Sequence, residues 1–111
     1  MYIPPLNRVE DPKSVNAFIH AHSFATLITT DDDNLVASHL PVLFDEEANV
    51  LRSHMARANG QWKHFNDGRE VLCIFHGPQA YVSPSWYEQQ HTVPTWNYAV
   101  AHVYGKPSLV D

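Results

Sequence analysis

The sequence predicts a mainly β protein: six antiparallel strands closing, fully or in part, into a barrel, with short helices at its periphery. Three observations lead there. Apolar and β-branched runs of four to ten residues recur along the chain. Tight polar clusters separate the first three runs. No long helical crossover of the kind a parallel βαβ unit needs lies between those three. With 44% hydrophobic and 17% charged residues, the chain has the balance of an ordinary globular protein, and its 111 residues suit one domain over 1–111.

Asp11-Pro12 opens a helix over 12–21, with Asp11 as N-cap and Pro12 at the first helical position. Val15, Phe18 and Ile19 form its apolar stripe. The period then changes. A first strand over 24–30 ends at Asp31-Asp32-Asp33-Asn34, a second runs from Leu35 to Phe44, and a third follows the turn Asp45-Glu46-Glu47-Ala48-Asn49 from Val50 to Met55. Asn59 caps a short helix over 60–66, with Trp62 and Phe65 on one side and Gly68 just past its end. Val71 to Phe75 is a buried strand. His76-Gly77-Pro78 reads as a turn into a fifth strand over 80–83. A polar loop follows over 84–93, and the last strand spans Tyr98 to Tyr104. A barrel avoids exposed edges, so a final strand ending seven residues before the last residue predicts cover by a second subunit.

No segment approaches the length of a bilayer span, and the first residues lack a signal-peptide pattern, so a cytoplasmic protein is expected. The single cysteine, Cys73, lies in an apolar run and reads as a buried core thiol. A net charge of −5 argues against a broad nucleic-acid surface. The charge is uneven, however. Residues 52–69 hold Arg52, Arg57, Lys63 and Arg69 against Asp67 alone, a local balance of +3 that leaves −8 on the remainder. Such a basic island suits one or two phosphates.

Two stretches concentrate the chemistry. Ser53 to Trp62 has the layout of a strand entering a helix start, where free backbone N–H groups and the helix dipole favour an anion. Arg57 adds a bidentate fork, and Ser53 and His54 add donors. Read without a ligand, the same residues are a surface cap and a solvated arginine. Val93-Pro94-Thr95-Trp96-Asn97-Tyr98, with Tyr81, Trp86 and Tyr87 before it, supplies rings, a hydroxyl and an amide suited to a flat heteroaromatic, or equally to an aromatic subunit interface. Eight histidines include His20-x-His22, but paired cysteines, clustered carboxylates and a His-Glu-x-x-His helix are missing, so no metal ligands are assigned. Ser83 and Ser85 lack a glycine elbow, and no catalytic residue is assigned.

In order along the chain, Ser23-Phe24-Ala25-Thr26-Leu27, His39-Leu40-Pro41, His54-Met55-Ala56-Arg57-Ala58-Asn59, Gln61-Trp62, Ile74-Phe75-His76-Gly77-Pro78, Tyr81 to Tyr87 and Val93 to Tyr98 resemble the PaiB-type, FMN-binding negative transcriptional regulators. The resemblance implies a split β-barrel and a homodimer with FMN in clefts at its interface. It implies the flavin edge along Ala37, Ser38, His39 and Leu40, and the phosphate near Ser53, His54, Arg57 and Asn59, with Trp62 in the same motif. Thr95, Trp96 and Asn97 would approach the ring system from the partner subunit. Members usually carry proline where this chain has Gly60, and are nearly twice as long. Other readings of the same residues are a flavin-dependent oxidoreductase or flavin reductase, and a dimeric module without cofactor.

Overall fold

The computed structural model describes residues 1–82 and 95–110. A 3-10 helix, Pro5–Asn7, precedes α1 (Pro12–Ala21). Then come β1 (Phe24–Thr30), β2 (Leu35–Asp45), β3 (Val50–Ser53), a second 3-10 helix, Gly60–Asp67, β4 (Val71–Val82) and β5 (Thr95–Gly105). The aromatic loop over 84–93, together with Ser83 and Pro94, lies outside the described residues.

Local chemistry places these boundaries. Asp11 accepts from Lys13 N at 3.3 Å and from Ser14 Oγ at 2.9 Å, so it caps α1 as its position predicted. Asp31 Oδ1 accepts from the backbone N–H groups of Asp33 and Asn34 at 2.8 and 2.6 Å, which closes the β1–β2 turn. Asp45 Oδ1 does the same for Ala48 N at 3.1 Å in the β2–β3 turn, where Asn49 takes the left-handed conformation at φ 55°.

The strands form one antiparallel sheet in the order β3-β2-β1-β4-β5. Five strands, not six, are present among the described residues. The predicted strands over 71–75 and 80–83 are one element. His76-Gly77-Pro78 is not a turn but an irregularity within β4, whose register against β5 shifts between His76 and Gln79. Proline cannot donate to a ladder, and a bulge absorbs it without ending the strand. Gly77 is needed here for space: a Cβ at this position would stand 2.6 Å from Phe18 Cε2. The predicted closed or partly closed barrel is likewise corrected to an open sheet, with β3 and β5 as its edges among the described residues. Closure would require those edges to pair, and β3 offers four residues to the eleven of β5.

Strand alternation sorts the two faces. One carries Ala25, Leu27 and Thr29 of β1, Ser38, Leu40 and Val42 of β2, and Cys73 and Phe75 of β4. Here α1 packs Ile19 into the buried cluster Ala25, Val42, Cys73 and Phe75, flanked by Val15, Phe18, Phe44, Leu51, Ala101 and Val103. Burial pushes the Cys73 thiol up to about 11, as expected of a core cysteine. The other face carries Phe24, Thr26, Ala37, His39, Ile74 and His102.

Candidate functional site

The stretch after β3 is fixed to the sheet by two amides. Asn59 accepts from Gln61 N at 3.1 Å, capping the 60–67 helix, and its Nδ2 donates to Ser38 Oγ on β2 at 3.0 Å. Gln61 is 2% exposed, and its Nε2 donates to Leu27 O at 2.9 Å and Val36 O at 3.2 Å, bridging β1 and β2. The helix spans 60–67, one residue beyond the expected 60–66, is 3-10 in geometry, and ends at Gly68 in the left-handed conformation. Its last turn is held by His64, whose Nδ1 shares a 2.8 Å hydrogen bond with Thr29 Oγ1 and whose Nε2 lies 3.3 Å from Asp31. Within the loop, Trp62 Nε1 donates to Arg57 O at 3.0 Å, and Lys63 Nζ lies 5.8 Å from the Trp62 ring centre.

A cavity of about 450 Å³ opens at the β2–β3 end of the sheet, beside the C-terminal end of α1. Its apolar wall is Pro41, Val42, Leu43 and Phe44; His20, Ser23, Arg52, Ser53 and His54 supply the polar side. Two consecutive carboxylates on the adjoining turn steady this rim. Asp45 Oδ2 accepts from Arg52 Nη2 at 3.2 Å, and Glu46 bonds His20 Nε2 at 2.8 Å and Asn16 Nδ2 at 2.8 Å. The Ala48 N–H and the Arg52 guanidinium hold Asp45 below its ordinary value, and the His20 and Asn16 hydrogen bonds do the same for Glu46. The His20 ring also stacks on Phe44, with centroids 5.5 Å apart.

The residues singled out from sequence are partly brought together. Ser53 and His54 line the cavity, and Ser53 Oγ donates to Pro41 O at 2.7 Å. Asn59 instead turns to Ser38, while Arg57 sits on the exposed loop with its carbonyl engaged by Trp62. The Ala37–Leu40 run alternates: Ser38 and Leu40 are half-buried on the α1 face, while Ala37 and His39 are exposed on the other, where His39 Nδ1 shares a 3.1 Å bond with Thr26 Oγ1. Thr95, Trp96 and Asn97 pair with Val82, Tyr81 and Ala80 along β5, and Asn97 is exposed. Three strand spacings, about 14 Å, separate β5 from β2, so one chain does not bring Asn97 to the Ala37–Leu40 run. The sequence reading assigns none of His20, Arg52 and Gln61 to the site, although His20-x-His22, the basic run from Arg52 and the Gln61-Trp62 motif name all three.

Two groups are buried without a partner among the described residues, Gln61 Oε1 and His102 Nδ1, and burial lowers the pKa of His102. No three His, Cys, Asp or Glu side chains gather as a metal site among the described residues. No helix there is long and apolar enough to cross a membrane.

Comparison with known proteins gives this geometry a family. The chain is 39% identical to the protease synthase and sporulation protein PAI 2 of Bacillus subtilis, over 100% of this chain and 54% of that protein. It is 29% identical to the uncharacterized protein YKL070W of Saccharomyces cerevisiae, over 96% of this chain and 68% of the yeast protein. A third relative, the uncharacterized protein AN0679 of Emericella nidulans, is 34% identical over 63% of this chain and 39% of its own length. The chain thus spans about half the length of its Bacillus relative. The family model described as "Putative FMN-binding domain" matches residues 1–111, and the chain belongs to that family.

Proposed function

We propose that this chain is an FMN-binding, PaiB-like regulatory protein that holds its cofactor at the seam of a homodimer. One observation carries the reading beyond family membership: on an acidic chain, the cavity at the end of β3 is lined by three basic residues and no acidic one. Its volume lies within the about 300–1,000 Å³ of small-molecule sites, and its apolar wall beside a guanidinium and two imidazoles suits a phosphorylated flat ring. In this reading Ser53, His54, Arg57 and Asn59 hold the phosphate, and the flavin edge follows Ala37, Ser38, His39 and Leu40, with Trp62 packing nearby. Thr95, Trp96 and Asn97 come from the partner subunit, which the span between β2 and β5 favours. Bound flavin supplies reversible one- and two-electron chemistry; the protein supplies binding and orientation.

The regulatory part follows from the resemblance. Direct reading of DNA is not part of the proposal, because a net charge of −5 opposes the phosphate backbone. The test is the absorption spectrum of the purified protein, followed by titration with FMN. Flavin bands, or saturable uptake of added FMN, are the expected result. A colourless protein that takes up no FMN overturns the reading.

A further inference from the structure

The segment before α1 is shaped but barely packed. Pro4 and Pro5 fix its backbone, and Asn7 N donates to Pro4 O at 2.9 Å to close the short 3-10 turn. Ile3 is half-buried, yet Tyr2 is 84% exposed and Leu6 99%, and Met1 and Val9 are exposed as well. A single leucine in water is ordinary. Four apolar side chains held out by one stiffened segment are a different case, because a segment already ordered loses little entropy when another surface covers it.

The start of this arm reaches the sheet face turned away from α1. Burial, then the Met1 amino group and the His76 ring, disfavour the charged form of His102, so Met1 stands close to β5 there. His102 in turn meets Tyr104 edge-on, with ring centres 6.5 Å apart. By the strand register, the positions of this outer face from Phe24 to Ile28, Leu35 to Leu43, Leu72 to His76 and Tyr98 to Tyr104 include no Asp, Glu, Lys or Arg. A sheet side left to water alternates to polar residues, whereas the centre of a protein–protein interface is depleted of charge.

Charge also selects the occupant. Over residues 1–9 the arm has one charged side chain, Arg8, which lies 3.8 Å from Glu10 of its own chain. Two copies of a chain with net charge −5 can therefore meet through arm and face without setting acid against acid. A twofold pair is self-complementary too: each chain brings one arm and one face, and both are covered at once. We propose that, within the homodimer on which this step rests, residues 1–9 form an exchange arm, with Tyr2 and Leu6 of each protomer packed on the outer sheet face of the other.

Tyr2→Ser combined with Leu6→Ser tests the arm without disturbing the isolated chain, where both side chains are already in water. Val110→Ser removes an apolar side chain that is 87% exposed but lies outside the arm, and serves as the control. Sedimentation over a concentration series reads the dimer Kd of each. The expected result is a rise of about tenfold or more for the arm variant and no change for Val110→Ser. An arm variant that dimerises as tightly as the parent overturns the arm and leaves the dimer standing. A control that weakens as much as the arm variant overturns the arm too. A parent protein that stays monomeric overturns both. Retention of that monomer, but not of the arm variant, on vesicles of anionic lipid would then assign the arm to a membrane surface.

Discussion

Gln61 does the work of a rivet. Its amide nitrogen reaches carbonyls on two different strands, Leu27 and Val36, and the side chain is almost wholly enclosed. A buried carbonyl deprived of its donor costs about 1–3 kcal/mol, more than an average hydrogen bond contributes, because water cannot replace the lost partner. Gln61→Leu keeps the volume and removes both donations. It should therefore lower stability by about 2–4 kcal/mol, read as a drop in the denaturation midpoint with an unchanged slope. A loss below about 0.5 kcal/mol, the range of ordinary surface substitutions, would mean that the amide is not holding the strands. Nothing in the sequence announced this role. Glutamine is a common helix residue, and its partners lie 34 and 25 positions away. Asn59, by contrast, was legible as a cap because its main partner is local. The same contrast separates Arg57, visible in a motif, from Arg52, whose partner Asp45 is reached only across the β2–β3 hairpin.

At the scale of elements, α1 and β1 were readable to the residue, since a cap, a period change and a turn cluster each leave a local mark. The bulge in β4 was not. Gly-Pro after an apolar run carries the signal of a turn, and only the packing of Phe18 over Gly77 and the continuing β5 partner turn it into a strand irregularity. The 60–67 helix lies between these cases. Its cap and its stop were legible, but its 3-10 geometry was not. Its first residue offers a direct test. Gly60 stands at the position where the helix uses no intrahelical N–H, Asn59 before it is extended at φ −78° and ψ 100°, and a Cβ at Gly60 would meet open space. Gly60→Pro should therefore fit, and should stabilise the protein by about 0.4–1 kcal/mol by restricting the unfolded chain. A fall in melting temperature would show that the helix start needs a conformation or a donor that proline cannot supply.

At the scale of the whole molecule, burial is thin. Among the described residues five apolar side chains form the buried core, and the Cα radius of gyration is 17.3 Å, against about 13 Å for a compact chain of about 100 residues. The sheet face turned away from α1 bears Phe24, Leu35, Leu43, Tyr98 and Tyr104, all exposed. Scattered exposed apolar residues are ordinary, but five on one sheet face form the kind of surface that association covers. The proposed homodimer uses this surface and also supplies what one chain lacks, because β5 lies three strands from β2. Two measurements should then move together. Sedimentation should give a dimer at micromolar concentration, with a melting temperature that rises with protein concentration. Phe24→Glu combined with Tyr104→Glu should yield a monomer and weaken FMN, because each half-site loses its Thr95–Asn97 contribution. Both side chains are exposed in the isolated chain, so a change confined to the monomer should shift stability by only about 0.5 kcal/mol. A parent protein that sediments as a monomer and still takes up FMN would place the whole cofactor site within one chain and end the dimer model.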